Sequence, residues 1–433
     1  MKSKVRGATF VALAAGVALA AAGCSGSTGG NTGADGGTTT LTVWQNSTTG
    51  PGQQYWVDAA KAFHEANPKV TVKVQSIQNE QLDGKLQTAL NSGNPPDVFL
   101  QRGGGKMAAM VKAGQVMDIT DSVSADTKQA IGAGALKAES IDGKVYAMPL
   151  DVLPEGLFYS KDLFDQAGIT STPTTMDELN SAITALKGKG VIPVAVGAKD
   201  AWPAAHWYYN FALRLCSEQT LDQTAKTLDF SDPCWTAAGN ELKKFNDSKP
   251  FQPGFLTTSA QQGAGSSAGL VANHKAAMEL MGGWDPGVIA SLTPDQKPLP
   301  DLAWFPFPTV AGGQGDPAAI MGGVDGYSCS AKAPKKACTD FLNFLVTQSQ
   351  QEAYYKAFNS PPVNLEAQKI VTEPYLKDLI AAYNKAPYVS QYLDTLYGQN
   401  VGNALNVAVV NLMAGKGSVA DIITAVNQAA AKG

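Results

Sequence analysis

The stretch LTVWQN, residues 41–46, begins the part of the chain that decides the fold. Its apolar and β-branched residues predict a short strand that ends in polar side chains. The runs KVTVKV, residues 69–74, and PPDVFL, residues 95–100, predict two further strands. Three strands thus follow one another here, and the segments between them are long enough for helices.

In the segments between these strands, apolar residues recur with the spacing of an α-helix. Residues 53–68 place apolar side chains at positions i, i+3, i+4 and i+7, namely Trp56, Ala59, Ala60 and Phe63. Pro68 ends this pattern, and a second helix is expected around residues 79–92. The alternation of strand and helix is typical of an open parallel α/β sheet. In such sheets ligands bind beyond the carboxyl ends of the strands.

Polar side chains stand at the expected carboxyl ends of these strands. They are Gln45 and Asn46 after the first, Gln78 after the second, and Gln101 and Arg102 after the third. Amides and a guanidinium at one sheet edge offer both donors and acceptors of hydrogen bonds. We therefore expect these residues to face a bound ligand.

A second α/β block is expected from about residue 146. Residues 146–169 hold two apolar runs and then a helix, and residues 174–190 predict a helix with Thr175 as its N-cap. The run VIPVAVG, residues 191–197, predicts a buried strand. A chain of 433 residues exceeds one ordinary hydrophobic core, so two domains are expected.

The first 23 residues resemble a bacterial export signal, with a basic head and an uncharged run at residues 8–22. The small residues before Cys24 resemble a lipobox, although Ala21 stands where Leu is usual. We expect Cys24 to be lipidated; the alternative is an ordinary cleaved signal with a chance cysteine. Residues 24–39 are rich in Ser, Gly and Thr and predict a flexible tether.

The charge balance excludes one class of partner. The chain carries 33 Lys and Arg against 37 Asp and Glu, a net charge of −4 at pH 7. Loss of the basic signal segment would make the remainder more acidic still. An acidic protein does not suit nucleic acid, which requires a basic surface. No second long apolar segment follows, so no further membrane span is expected.

Four cysteines remain beyond Cys24, and we expect them in disulfides because a secreted protein meets an oxidising compartment. Four cysteines allow three pairings. The simplest choice joins sequence neighbours, Cys216 with Cys234 and Cys329 with Cys338. Neither a C-x-x-C pair nor paired histidines accompany them, so no metal site is expected.

The order of these signals resembles that of a known family. The lipobox and tether are followed by LTVW (41–44), PPDVF (95–99), LFYSKDLFDQAGI (157–169) and MELMGGWDP (278–286). This order resembles the extracellular solute-binding proteins of bacterial ABC transporters, in the carbohydrate-binding group that includes maltose-binding protein. The stretches between GGWDP and GGVDGYSCS (282–330) are similar to xylobiose- or xylo-oligosaccharide-binding proteins.

The resemblance implies an α/β protein with a two-lobe, periplasmic-binding-protein-like fold, a ligand cleft between the lobes and hinge crossovers that join them. The expected order is signal peptide, tether and two discontinuous lobes: 1–23; 24–39; 40–150 with 310–360; 151–309 with 361–433. It also implies a monomer that has no cofactor and no catalytic residues. Such a protein, anchored at the extracellular face of the cell membrane, would deliver an oligosaccharide to ABC permease subunits with a cytoplasmic ATPase.

A sugar site needs flat aromatic surfaces for the C–H faces of the rings and polar side chains for the hydroxyls. The resemblance implies that Trp284 stacks on a sugar, and the glycines before it favour a loop. Asp285 would accept from a hydroxyl or cap a helix. The aromatic stretch at residues 200–210 supplies three candidates, which line either the cleft or the core: Trp202, His206 and Trp207.

The remaining candidates are polar. Asp325 lies between glycines, while Asp151 and Glu155 follow MPL on an expected crossover strand. The late tryptophan on which the family stacks a further sugar is missing from YGQNVGNALN (397–406), where Asn400 offers a hydroxyl partner instead. Because this further stacking surface is missing, we expect a short ligand of about two or three sugar units.

Two other functional classes stay open at this point. A secreted glycoside-active enzyme would use Asp151 and Glu155 as paired carboxyl groups. The G-x-S-x-G match around Ser267 lacks the preceding apolar strand of a nucleophile elbow, so a flexible loop is expected there. An adhesion or chaperone lipoprotein would bind no small sugar. Among sugars, xylobiose is the first choice, followed by cellobiose, chitobiose and maltose-type ligands.

Overall fold

The computed structural model describes residues 38–432, apart from the side chains of residues 132 and 133. The predicted signal peptide and Cys24 lie outside the described residues. Within residues 38–432, no helix is both long and apolar enough to cross a bilayer.

The strands are short except for two that run through the middle of the molecule. In chain order they are β1 (Thr39–Gln45), β2 (Val70–Ser76), β3 (Val98–Gln101), β4 (Ser140–Ile141), β5 (Lys144–Val145), β6 (Met148–Ser160), β7 (Ile192–Ala195), β8 (Ala276–Gly282), β9 (Leu302–Phe305), β10 (Ile320–Cys329) and β11 (Val389–Ser390).

The helices lie between the strands and continue to the end of the described residues. They are α1 (Gly50–Ala66), α2 (Asn79–Asn91), α3 (Gly104–Lys112), α4 (Ala125–Ala138), α5 (Lys161–Gln166), α6 (Met176–Gly188), α7 (Trp202–Leu215), α8 (Glu218–Thr227), α9 (Pro233–Asp247), α10 (Ser267–Ala272), α11 (Asp285–Leu292), α12 (Lys335–Leu345), α13 (Gln348–Phe358), α14 (Pro374–Lys385), α15 (Leu393–Leu396), α16 (Gln399–Met413) and α17 (Val419–Ala430).

Most strands belong to one mixed sheet, with the order β2-β1-β3-β10-β6-β8-β7. β1 is parallel to β2 and to β3, as the alternation of strand and helix predicted. β10 is antiparallel to β3 and to β6. Because Gly326 of β10 pairs with Gln101 at the end of β3, the carboxyl ends of the parallel strands meet the middle of β10.

β6 is one continuous strand, where the sequence predicted two apolar runs. Its first half pairs with β10 as far as Pro154, and its second half, from Glu155 onward, pairs with β8 and β9. The strand thus changes partners between these two residues. Proline has no N–H to donate to a strand ladder, so it is tolerated at the point where one ladder ends and the next begins.

Two hydrophobic cores lie on either side of this change of partner. The first includes Leu41, Trp56, Phe63, Val98 and Phe341. The second includes Trp207, Phe211, Trp235, Leu405 and Ile422. We call the elements packed around these cores the first lobe and the second lobe. The residue boundaries that the sequence suggested for the lobes remain a prediction.

β10 is a second crossover between the lobes. Met321, near its start, packs in the second core, whereas Tyr327, near its end, packs in the first. Beside β6, Val152 donates its backbone N–H to the carbonyl of Pro361, so the segment that follows α13 also reaches the crossover. Three stretches of chain therefore lie together where the lobes meet.

Local sequence signals explain the outer elements. The four apolar side chains that predicted α1 are all buried, as expected for one face of an amphipathic helix: Trp56, Ala59, Ala60 and Phe63. α6 begins at the predicted cap, where the Thr175 hydroxyl accepts the N–H of Glu178 and the Glu178 carboxylate accepts the N–H of Thr175.

The expectation of a flexible loop around Ser267 was wrong. Ser267 begins α10, and Ser266 caps this helix by accepting the N–H of Gly269. The side chain of Ser267 is fully buried, and its hydroxyl donates to the carbonyl of Ala260. A buried, bonded hydroxyl has the features of a packing residue rather than of an exposed nucleophile.

Both predicted disulfides are confirmed. Cys216 pairs with Cys234, with Cα atoms 5.1 Å apart, and ties the end of α7 to the start of α9. Cys329 pairs with Cys338, with Cα atoms 6.1 Å apart, and ties the end of β10 to α12. Each bond is expected to add about 2–4 kcal/mol of stability by constraining the unfolded chain.

Candidate functional site

A guanidinium network lies at the carboxyl ends of the first lobe's strands. Arg102 donates from Nη2 to Oδ1 of Asn79 over 2.6 Å, and its Nη1 lies 3.4 Å from Oδ2 of Asp325. Its Nε lies 3.3 Å from Oδ1 of Asp83, whose other oxygen pairs with Lys106 over 2.8 Å. Arg102 thus joins the end of β3, the start of α2 and the middle of β10.

The charges of this network reinforce one another. Burial disfavours the carboxylate of Asp83, but Arg102 and Lys106 outweigh it and hold the pKa of Asp83 well below its ordinary value. Burial likewise opposes the charge of Arg102, while Asp83 and Asp325 raise its pKa. The Arg102 side chain keeps 21% of its surface exposed, so it remains accessible to a ligand.

Most of the four amide side chains predicted at this edge are already hydrogen-bonded to neighbouring elements of the protein. Gln45 is buried and donates to Oγ of Ser76 over 2.6 Å. Asn46 donates to Asn79, and Gln101 is buried and donates to Oγ of Ser328. Their amides hold the strand ends in place. Gln78, which is exposed, is the one of the four that reaches the other lobe.

Gln78 takes part in a contact between the lobes. The amide of Gln262, which follows α9 in the second lobe, donates to Oε1 of Gln78 over 3.3 Å and lies 3.5 Å from Oε2 of Glu80. The first turn of α3 also packs against the second lobe, because a side chain added at Gly104 would meet Gln391 and Thr395. The two lobes therefore touch in this structure.

Two crossover carboxyl groups face each other across the sheet. Asp151 of β6 and Asp325 of β10 are direct partners in the antiparallel pairing. The hydroxyl of Tyr354 donates to Oδ2 of Asp151, whose Oδ1 is buried and finds no partner among the residues that the structure describes. Burial raises the pKa of both carboxyls, and the charge of Asp325 raises the pKa of Asp151 further.

Glu139, at the end of α4, is a third buried acid beside this pair, and the sequence did not single it out. Its side chain is fully buried, and within the described residues neither carboxyl oxygen has a hydrogen-bond partner. Burial, and then the charges of Asp325 and Asp151, raise its pKa well above the ordinary value. A protonated Glu139 is therefore able to donate a hydrogen bond at neutral pH.

On the second lobe, Glu155 is held by two residues of α7. His206 Nδ1 bonds to one of its oxygens, and Asn210 Nδ2 donates to the other over 2.7 Å. All three side chains are buried. Both carboxyl oxygens of Glu155 are hydrogen-bonded, so in this structure Glu155 orients the imidazole of His206.

Four rings form an aromatic cluster around this histidine: Trp202, His206, Trp284 and Tyr392. The Trp202 and Trp284 rings meet edge to face, with centroids 6.0 Å apart, and Trp284 lies 5.7 Å from Tyr392. The indole N–H groups of both tryptophans are buried, and neither has a partner in the described part of the chain. A side chain on Gly282 would clash with the Trp284 ring and with the Tyr392 hydroxyl, so close packing of the cluster requires glycine there.

Tyr392 connects the aromatic cluster to the crossover carboxyls. Its hydroxyl donates to the carbonyl of Leu153 on β6 over 2.8 Å. A side chain on Gly323 of β10 would lie 3.3 Å from its ring. The charges of Glu155, Asp325 and Asp151 all act on this phenol. Aromatic surface and buried acids thus adjoin each other where the two crossovers pass between the lobes.

Three predicted residues lie elsewhere. Trp207 is fully buried in the second core, where its ring stacks on Phe245 with centroids 4.6 Å apart. Asp285 is fully buried beneath the aromatic cluster, next to Glu279 of β8. Asn400 is exposed at the start of α16. The structure brings none of these three side chains into the cluster.

Several residues of the site were missed by sequence reasoning: Asp83, Lys106, Glu139, Tyr354 and Tyr392. Lys106 follows Arg102 by four residues, and this spacing could have indicated a shared acidic partner. Tyr392 and Glu139 carry no local signal, because only long-range packing brings them to the crossovers.

A group able to hold a metal exists apart from this site. Within the described residues, Asp162, His274 and Asp301 place ligand atoms within 4.8 Å of one another. Both oxygens of Asp301 are already engaged, one by His274 Nε2 over 3.0 Å and the other by the Ser160 hydroxyl. These contacts serve to fix the start of α5, which Ser160 caps.

Two cores joined by crossover strands, with aromatic rings and buried acids at the crossing, define a two-lobed binding protein. Residues 45–352 match the model of the bacterial extracellular solute-binding protein family. The chain therefore belongs to the bacterial extracellular solute-binding proteins.

Similar proteins support this assignment. The diacetylchitobiose binding protein DasA of Streptomyces coelicolor is 28% identical over 357 residues, which cover 80% of this chain and 77% of that protein. A structure from a study of xylan utilization by the thermophilic bacterium Caldanaerobius polysaccharolyticus has a TM-score of 0.82 at 24% identity, covering 90% of this chain and 99% of that one. A chitin oligosaccharide binding protein also has a TM-score of 0.82 at 24% identity, covering 91% and 98%. The predicted α/β, two-lobe fold is thereby confirmed.

Proposed function

We propose that this protein captures a short neutral oligosaccharide outside the cell and delivers it to an ABC importer. The observation that carries the proposal is the aromatic cluster, in which two buried indole N–H groups have no partner among residues 38–432 and lie beside crossover acids. Ring faces suit the C–H faces of sugars, and unpaired donors and acceptors suit hydroxyls. Family membership supports the same function, since its members are solute-binding proteins.

The chemistry of the polar groups favours a neutral ligand. Arg102 is the central cation of the site, and two carboxylates already balance it. A phosphate or sulfate would call for several unpaired cations instead. The crossover acids Asp151 and Asp325, with Glu139, offer carboxyl oxygens that bond well to sugar hydroxyls.

We propose a ligand of two or three sugar units, because residues 397–406 lack the tryptophan on which the family stacks a further sugar. Xylobiose is our first choice. Diacetylchitobiose is the second choice, because the Streptomyces relative is named for it. Cellobiose and maltose-type sugars follow.

We propose no catalytic role for Asp151 and Glu155. Glu155 is saturated by His206 and Asn210, and Asp151 accepts from Tyr354. A glycosidase would need two carboxyl groups able to act on the bond, and Glu155 has no free oxygen. Incubation with xylo-oligosaccharides followed by product analysis separates the two classes: released shorter sugars would establish an enzyme.

The deciding experiment is a calorimetric panel of xylobiose, cellobiose, diacetylchitobiose, maltose and raffinose against the wild type and Trp284→Ala. We expect one disaccharide to bind, and Trp284→Ala to lose about 2 kcal/mol or more of binding free energy. Trp44→Ala is the matched control, because Trp44 packs in the first lobe outside the aromatic cluster. If the wild type binds no sugar, the function is refuted and an adhesion or chaperone role gains support.

The remaining parts of the proposal concern location and partners. We propose a monomer that is anchored to the outer face of the membrane through Cys24 and docks on permease subunits when closed on its ligand. No cofactor is required for such a role. Ligand binding should raise the melting temperature by mass action, which thermal unfolding with and without the sugar measures directly.

A further inference from the structure

Two carboxyl groups lie buried together directly beneath Trp284. Glu279, on β8, is 1% exposed, and Asp285, the first residue of α11, is 0% exposed. Within the described residues, no donor with ordinary hydrogen-bond geometry satisfies their four carboxyl oxygens, but the two carboxyl groups lie within bonding reach of each other once one of them is protonated. Removal of two ionised carboxylates from water without any partner would be very costly, so this pair must retain a proton.

The surroundings of the pair supply no compensating positive charge. In the sheet, Glu279 lies between Phe158 of β6 and Ala195 of β7, which are both apolar. The polar group that reaches Glu279 from α10 is the Ser267 hydroxyl, which is neutral and donates to Ala260. Across the described residues, the charges that act on the pair are those of Glu279 and Asp285 themselves.

The two carboxyls differ in which one is better placed to ionise. Asp285 is at the start of α11, where free backbone N–H groups favour a negative charge. Burial raises the pKa of Asp285 to about 8. Burial, and then the charge of Asp285, raise the pKa of Glu279 well above its ordinary value. Glu279 is therefore the proton donor of the pair and Asp285 its acceptor.

The pair is mechanically connected to the aromatic cluster. Asp285 follows Trp284 directly in the chain, and the Trp284 ring packs on Gly282, the last residue of β8. A side chain on Gly287 would clash with the backbone of Phe358, so the first turn of α11 packs directly against the last residue of α13. A change in charge at Glu279 and Asp285 therefore acts on a turn that has little freedom to absorb it.

We propose that Glu279 is a positioning residue whose proton, donated to Asp285, holds Trp284 in place for the ligand. Ionisation of the pair in alkaline solution adds negative charge beneath the Gly282–Trp284 turn and displaces the indole ring. The first part of this proposal, the structural half, concerns the position of Trp284 and requires no ligand. The second part, the ligand half, concerns affinity for the ligand and rests on the proposed sugar-binding function.

The structural half is tested by tryptophan fluorescence of the ligand-free protein between about pH 6 and pH 10, a range that spans the pKa of the pair. We expect a transition near pH 8 in the wild type that is absent in Asp285→Asn, which removes the carboxyl that ionises there. Trp284→Phe identifies the reporting ring and should also lack the transition. An unchanged transition in Asp285→Asn overturns the proposal. The double variant Glu279→Gln with Asp285→Asn, which leaves no carboxyl in the pair, provides the same test if Asp285→Asn fails to fold.

The ligand half is tested by the affinity for the best sugar of the panel over the same pH range. Wild-type affinity should fall by up to about tenfold for each pH unit above the pKa of Asp285, whereas Asp285→Asn should retain a flat profile. If the variant shows the same fall, the dependence belongs to Glu139, Asp151 or Asp325 and the proposal is overturned. If no sugar binds at any pH, the proposed function fails while the fluorescence test still decides the role of the pair.

Discussion

The imidazole ring of His206 is stacked on the phenol ring of Tyr392, with centroids 4.7 Å apart and 13° between the ring planes. His206 comes from α7 in the second lobe, and Tyr392 reaches the crossover β6 through its hydroxyl. This stack therefore connects the core of the second lobe to the strand on which the lobes would turn. The aromatic cluster is placed both to contact a ligand and to transmit its presence to the hinge.

Tyr392→Phe should weaken the hinge contact and leave the ring stack intact. Loss of the hydrogen bond to the Leu153 carbonyl is expected to cost about 1 kcal/mol of unfolding free energy. Tyr392→Ala also removes the ring and should cost about 3–5 kcal/mol. Urea denaturation of both variants measures the difference. Equal losses in the two variants would show that the ring contributes nothing beyond its hydroxyl.

Arg102→Gln should lower both stability and ligand affinity, because it leaves Asp325 without its cation and Asp83 with Lys106 alone. Loss of hydrogen bonds to charged groups is expected to cost about 1.5–3 kcal/mol of unfolding free energy. Lys61→Gln is the control: its partner Glu65 lies 3.9 Å away on α1 and both side chains are more than half exposed, so no measurable change is expected. Calorimetry with the best sugar gives the binding effect, and an unaltered affinity in Arg102→Gln would exclude this residue from the site.

The stability of the protein should fall as the pH rises from about 4 towards about 8, the range above the ordinary carboxyl pKa. Burial raises the pKa of Glu139, Asp151 and Asp325, and that of Asp285 to about 8. The folded protein then binds more protons than the unfolded chain, so each such group lowers the free energy of unfolding by up to about 1.4 kcal/mol per pH unit until its folded pKa is passed.

Urea denaturation at a series of pH values measures this slope. Glu139→Gln removes one titrating group and should make the slope shallower by about the contribution of one carboxyl. Stability that stays level or rises across this pH range would contradict the prediction. A slope that is identical in wild type and variant would show that Glu139 ionises normally in the folded protein.

Cys24 should be the lipidated N-terminus of the mature protein. Mass spectrometry of the native protein is expected to find a terminal cysteine that carries acyl chains, since two or more chains are needed for stable anchoring. Cys24→Ala should release the protein into the medium with unchanged sugar affinity. A wild-type protein that is secreted with another N-terminus would end the prediction.

Local patterns were sufficient where neighbours in the sequence decide the structure. The buried face of α1, the Thr175 cap of α6 and the parallel pairing of β1 with β2 and β3 each follow from residue spacing over a few turns. The two disulfides join cysteines 18 and 9 residues apart, so the simplest pairing was also correct. Trp202, His206 and Trp284 were found because aromatic residues beside glycines or on one helix face stand out in the chain.

Other features had no local signature. The two apolar runs around Pro154 could not be recognised as one strand, because a proline normally interrupts a strand and only a change of partners accommodates it. Trp207 follows His206 directly on α7, about 100° around the helix, and lies in the second core against Phe245. Periodicity identifies the buried face of a helix, but not which of two neighbouring surfaces each residue meets.

The sequence by itself determined the alternating strands and helices, the overall acidity and the family to which the chain belongs. These properties depend on residue type and short-range spacing, which any reader of the chain can measure. Only the tertiary structure decided that Tyr392 completes the aromatic cluster, that Glu139 joins the crossover acids and that Glu279 and Asp285 share one buried space. Contacts of this kind form between segments far apart in the chain, because burial of the two cores and the crossing of β6 and β10 bring those segments together, and no spacing rule encodes that meeting.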